Sequence, residues 1–432
     1  SSVAPTTPPN SITSQGKVSK LFTYSTNLVT KQSDKPPLTP LRPKVNSIFH
    51  LFGEWLFEAA LIGTTPSFNN CSPSKKSSNV GRTSCRAEAL GTVCRVLCSK
   101  QCREEVLAPY LARCYAAVRR GLRDPATAAA VVLNSPDIFR LDLDGVLVLV
   151  PDYVSALDRI LSEKDPKLEC GSIDKRELRK AAISALLSLV AFPHHYRGLP
   201  LELELIISSS AGMTIGDFAR GKLSLICVSA VQVECSDALA VPLLSALYLC
   251  VRHNAYTASS GKAYSAPPGS TMSHSAALVV RATYLVCHRL ISSWKGDLQV
   301  SLAALELLSG LAKLHSAKPE FCIVLYCILY STEAIERKRA VRWICDYITV
   351  QCGRPPQAHS RDLHSCVVAA YSCLAAWLCP ALLADPDCLA TLLEVVELGI
   401  SGSKSQGERL LHSIEHKSIH TYTLTTVFHG RR

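Results

Sequence analysis

The sequence predicts an all-α chain, an irregular HEAT- or armadillo-like helical solenoid with a disordered basic tail and loops, on three observations. Apolar residues return at helical spacing along most of the chain between Asn46 and Gly399, with short breaks. Asp124-Pro125 and Asp385-Pro386 each set a capping carboxylate before a proline suited to the first helical position. Several helices are apolar over much of their circumference, which suits helical pairs stacked on neighbours. No strict repeat period is present, so the prediction rests on helix density.

The chain's 432 residues exceed one typical domain of about 150. A composition 48% hydrophobic and 19% charged excludes collagen-like, coiled-coil and wholly disordered classes. Residues 1–43 hold Pro5, Pro8, Pro9, Pro36, Pro37, Pro40 and Pro43 among Ser and Thr and are expected to be a disordered basic tail. Within 44–62, the spacing of Ile48, Leu51, Phe52, Trp55, Ala59 and Ile62 predicts an amphipathic helix behind Pro43 and a polar cap. A Ser/Asn/Lys-rich stretch, 63–84, reads as a flexible basic loop, and periodicity resumes near Cys85. The solenoid is expected over 85–400. Asp174 and Glu177 have capping-box spacing and open a helix through Ile183, Leu186, Leu187 and Val190 that Pro193 stops. Val146–Val150 and the alternating Leu201, Leu203 and Leu205 are the strand-like pieces, read as extended connectors or helix starts. An apolar insertion lies near 316–336. Gly399 is expected to end the last helix, leaving 401–432 as a flexible C-terminal segment.

The formal charge of +11 sits mainly in those tails and loops. Lys17, Lys20, Lys31, Lys35, Arg42 and Lys44 face Asp34 alone within 1–47, and the stretch 63–86 holds Lys75, Lys76, Arg82 and Arg86 with no acid. Solvated linker charge is therefore expected, not a phosphate-tracking face, and no nucleic-acid partner. Nineteen cysteines, an odd number, behind no apolar signal segment predict reduced thiols and a cytoplasmic location. The chain opens on Ser, not Met, and is expected to be an internal or incomplete segment. Cys366–Ala384 is about long enough to span a membrane and is uncharged up to its end, whereas Phe321–Tyr330 is too short. Ser372, Pro380 and the Ala and Cys content weaken the longer run, so no stable membrane insertion is expected.

Four constellations invite chemistry. Gly216, Gly221 and Lys222 fit a phosphate-loop spacing, but Leu223 stands where the magnesium-binding hydroxyl belongs. Cys94, Cys98 and Cys102 repeat every fourth residue, which lines thiols on one helix face and suits buried small hydrophobes better than metal hooks. His412, His416 and His420 share that spacing in a polar terminal segment. His194-His195 follows Pro193 at a helix end, where a surface or capping role outweighs catalysis. No catalytic, cofactor-binding or metal residue is assigned, and no cofactor is expected.

Several blocks resemble the non-catalytic beta-type subunits of the Ral GTPase-activating protein complex, which are akin to tuberin-type activators. They are RPKVNSIFHLFGEWLFEAA at 42–60, RAEALGTVCRVLCSK at 86–100, VVLNSPDIF at 131–139 and LLSLVAFPHH at 186–195. They continue as SLAALELLSGLAK at 301–313, HSRDLHSCVVAAYSCLAAWL at 359–378 and CLATLLEVVELGISGSKS at 388–405. Together they make up about a quarter of the chain, and the sequence departs from the family between about 316 and 336 and after about 406. The resemblance implies a regulatory scaffold that pairs with a catalytic alpha subunit and acts on a Ral-type small GTPase indirectly. The asparagine-thumb helix of catalytic relatives has no counterpart, so no catalytic residue is carried over. A membrane-associated helical adaptor is the alternative, and a nucleotide-binding enzyme built on Gly216–Lys222 a third.

Overall fold

A computed structural model describes residues 42–62, 76–101, 103–168, 173–196, 198–200, 214–259, 274–315 and 323–401. The first helix, α1 (Val45–Leu61), begins on a cap the local sequence does not supply. Lys44 makes no side-chain cap; instead Glu104, distant in sequence, accepts the Val45 amide at 2.6 Å, and Asn46 accepts the Leu107 amide at 3.0 Å. The polar cap is thus a tertiary one, and it fixes how α1 sits against the start of α3 (Ala108–Arg123). Between them runs α2 (Lys76–Cys98). That helix starts earlier than Cys85, inside the stretch read as a loop, because its first turns are polar and leave no hydrophobic period to detect.

The expected local caps are present. Asp124 accepts the Ala126 amide at 3.0 Å to open α4 (Pro125–Asn134), and Asp174 accepts the Arg176 amide at 2.9 Å to open α6 (Lys175–Leu189). Val146–Leu149 is a turn of 3-10 helix running into α5 (Val150–Leu161), so this strand-like run resolves as a helix start. Leu201, Leu203 and Leu205 lie outside the described residues; beside them, a single antiparallel bridge joins Pro200 to Thr214. Pro193 sits within a short helical turn, α7 (Phe192–His195), after α6 has ended.

Further on come α8 (Ile215–Val233), α9 (Asp237–Ser259), α10 (His274–Ser292) and α11 (Leu298–His315). They are followed by α12 (Ile323–Cys352), α13 (Arg361–Trp377), the short α14 (Pro380–Leu383) and α15 (Pro386–Ser401). The apolar insertion therefore falls largely within one long helix, α12, continuous with the block that follows it. Cys366–Ala384 is divided between α13 and α14 by an extended Cys379, so it is not one spanning helix. Asp237–Tyr256 is, by length and composition, long and apolar enough to cross a membrane. Its Leu243, Leu244, Ala246, Leu247 and Val251 are buried in the protein core. Gly399 does not stop α15: the helix continues to Ser401, and Tyr371 packs so closely on Gly399 that a β-carbon there would collide with the ring. Glycine serves this approach, not a left-handed cap.

Packing follows a simple two-row order. One row is α1, α3, α5, α8, α10, α12 and α15, each packed on the next; the other is α2, α4, α6, α9, α11 and α13. Cross-row pairs α1–α2, α3–α4, α5–α6, α8–α9, α10–α11 and α12–α13 bind the rows together. Stacked helical pairs of this kind are the solenoid architecture the sequence predicts. The buried residues form one continuous core from Val45 to Val395, with Trp294 and Trp377 among its largest fully buried side chains.

Two charge clusters, each centred on a buried carboxylate, tie neighbouring pairs. Asp152 on α5 accepts from Arg119 at 2.9 Å and Arg123 at 2.8 Å, both on α3. Glu234, at the end of α8, accepts from Arg179 of α6 at 3.0 Å and from the Cys235 and Ser236 amides at 2.9 Å each. Arg289 of α10 donates to the Glu234 carbonyl and lies over Trp294, 4.8 Å from its ring centre.

Candidate interaction surfaces

The phosphate-loop candidate is helical throughout. Gly216 is buried in the first turn of α8, and Lys222 is exposed, about 240° further round the same helix. Thr214 accepts the Asp217 amide at 3.1 Å, and Asp217 pairs with Arg220 at 2.6 Å. An acidic residue thus occupies the turn where a phosphate would need bare amides and positive potential. The nucleotide reading is not supported by this geometry.

Of the thiol series, Cys94 is buried and Cys98 half-buried, while Cys102 lies outside the described residues, as do His412, His416 and His420. Among the described residues no group of three or more His, Cys, Asp or Glu side chains is placed to hold a metal ion. His194 and His195 are exposed on α7, with the His194 ring 6.0 Å from that of His253. The described cysteines are free thiols. Burial pushes Cys94 and Cys114 up to about 12 and raises Cys287 still further. Such thiols are poor nucleophiles. Brief alkylation of the native protein at neutral pH is therefore expected to label Cys85 and Cys235, which are exposed, and to spare Cys94, Cys114 and Cys287. Peptide-resolved mass spectrometry checks this; fast labelling of the buried set would show a looser core.

Among the described residues the helices assemble two candidate surfaces. Successive helices α10 and α12 of the first row form a shallow groove lined by Thr283, Tyr284, Cys287, Glu336, Arg339 and Trp343. Tyr284 and Trp343 rings lie 5.2 Å apart, and Arg339 pairs with Glu336 at 2.9 Å. The second surface is the outer side of α1. Phe49, Leu56 and Phe57 face inward, while Leu51 (71% exposed), Phe52 (56%) and Trp55 (67%) form a second apolar stripe toward solvent. An amphipathic helix normally has one such face. The sequence spacing marks Leu51, Phe52 and Trp55 as the apolar face of the helix and does not single out Phe49, Leu56 and Phe57, because spacing alone does not tell a partner within the fold from one outside it.

No family model and no solved structure matches the chain. Among curated proteins, it is 34% identical over 465 residues to the human protein named Ral GTPase-activating protein subunit beta, covering 87% of this chain and 30% of that protein. The mouse protein of the same name gives 34% identity over 472 residues with the same coverage. A Rap-GAP domain-containing protein of Dictyostelium discoideum is 25% identical over 333 residues, 71% of this chain and 18% of its own length. The chain thus spans about 30% of the length of these two relatives, and the match takes in most of the helical array. By sequence, this chain is a relative of Ral GTPase-activating protein subunit beta, matched over a stretch equal to 30% of that protein.

Proposed function

We propose that this chain is a helical scaffold segment of a regulatory subunit in a complex that promotes GTP hydrolysis on a Ral-type small GTPase. In this reading the catalytic residues belong to an alpha-type partner subunit, and the complex works in the cytoplasm. The observation that carries the proposal is the 34% identity maintained over 87% of the chain with proteins of that name. The role of the shared blocks supports it. SLAALELLSGLAK lies in α11, where Ala304, Leu305, Leu308 and Leu311 are buried, and the 359–378 block forms α13 with Ala370, Cys373 and Trp377 in the core. What the blocks preserve is packing between helical pairs, the task of a scaffold.

Activating hydrolysis requires a side chain placed at the transferring phosphate, such as an arginine finger or an asparagine thumb. Single-turnover hydrolysis by purified GTP-loaded Ral, with this chain alone, is expected to proceed at the intrinsic rate. With the catalytic alpha-type subunit added, the chain is expected to co-purify with it. Acceleration by the chain alone would overturn the non-catalytic assignment, and failure to associate would overturn the scaffold role for this segment.

A further inference from the structure

We propose that the outer face of α1 is a self-association surface, on which a second copy of this chain docks its own α1 in antiparallel fashion. The first observation is positional. Among the described residues α1 is the first helix of its row, with α2 and α3 as its main neighbours, and Leu51, Phe52 and Trp55 lie on the side those neighbours leave open, with Ile62 further along. The exposed part of these side chains amounts to roughly 500 Å² per copy, a patch of the size that marks interaction sites.

The second observation selects the occupant. Charges on α1 are divided between its ends: Lys44 precedes the helix, and Glu54 and Glu58 lie in its second half. All three are exposed, and among the described residues none has an ion-pair partner. In an antiparallel pair with its two-fold axis between Leu51 and Phe52, Trp55 of one copy falls level with Ile48 of the other, and Leu51 with Phe52. Lys44 then falls within one residue, about 1.5 Å of rise, of the level of Glu58. The same stripe meets itself and opposite charges meet twice, as a two-fold interface requires. A parallel pairing sets Lys44 beside Lys44 and Glu58 beside Glu58, which disfavours it. The patch is smaller than the roughly 800 Å² per partner of a standard interface, so the expected dimer is a weak, reversible one.

Sedimentation velocity of the full chain, from low to high micromolar concentration under reducing conditions, is expected to show a reversible monomer–dimer equilibrium. Trp55→Glu should raise the dissociation constant at least tenfold without changing the helical circular dichroism, since Trp55 is mostly exposed. Lys44→Glu should weaken the dimer, and adding Glu58→Lys to it should restore it. Leu51→Cys, next to the axis, should give a disulfide-linked dimer under mild oxidation in excess of any seen for the unmodified chain. A monomer at every concentration overturns the proposal, as does a dimer indifferent to Trp55→Glu. A dimer without the Leu51→Cys cross-link overturns its antiparallel geometry.

Discussion

Glu234→Ala is expected to destabilise the helical array by about 3–5 kcal/mol, read as a fall in the urea midpoint of the helical signal. The magnitude follows from what would be left behind. Arg179 is buried together with Glu234, and their 3.0 Å contact is the charge partner that makes its burial tolerable. Removing the carboxylate leaves a guanidinium in a low-dielectric interior, still donating to the Glu163 carbonyl at 2.8 Å but without a counter-charge. It also strips the acceptor from the Cys235 and Ser236 amides at the start of α9, a loss comparable to removing a helix cap. Replacing both members of the pair by apolar residues, Arg179→Met with Glu234→Leu, is expected to cost less than Glu234→Ala alone, because no buried charge remains. Equal losses in the two variants would show that packing, not the charge, governs this joint. Since α6, the α8–α9 turn and α10 meet at Glu234, the effect should reach across neighbouring helical pairs and not stay in one turn.

What was legible in the sequence, and what was not, divides along the range of the interactions. Asp124, Asp174 and Asp385 cap helices through amides two or three residues away, so their signal is complete within a short window. Glu234 and Arg179 are far apart in the chain, and nothing in either local sequence announces that they meet. Gly399 shows how the same residue type misleads: read locally it is a stop, yet its place is set by the Tyr371 ring from α13. Glu104 capping α1 is another distant partner, and the two-row order itself emerges from pairwise packing that has no fixed sequence period. The candidate surfaces were less legible still. Leu51, Phe52 and Trp55 obey the spacing of core residues, and no local signal says that α2 and α3 pack on the other side of α1.

The second large effect is an alkaline loss of stability set by the buried thiols. Burial holds Cys94 and Cys114 near 12, with the neighbouring Cys114 adding to the cost for Cys94, and holds Cys373 near 11 despite help from the Ser309 hydroxyl. In the unfolded chain a thiol ionises near about 8.5. Between that value and about 11–12 the unfolded state has released protons that the folded state still holds, so stability must fall as pH rises. Below about 8.5 both states are protonated and the thiols contribute no pH dependence. Each thiol withdraws about 1.4 kcal/mol per pH unit inside the window, so three of them acting together remove several kcal/mol by pH 10. Urea midpoints measured under reducing conditions at pH 7.5, about 9 and about 10 should therefore fall progressively, with the steeper part above pH 9. Alanine in place of Cys94, Cys114 and Cys373 lowers the starting stability by leaving small cavities, but it should flatten the alkaline slope. An unchanged slope in that triple variant would assign the alkaline loss to other groups and show that these three thiols ionise in the folded protein much as they do in the unfolded chain.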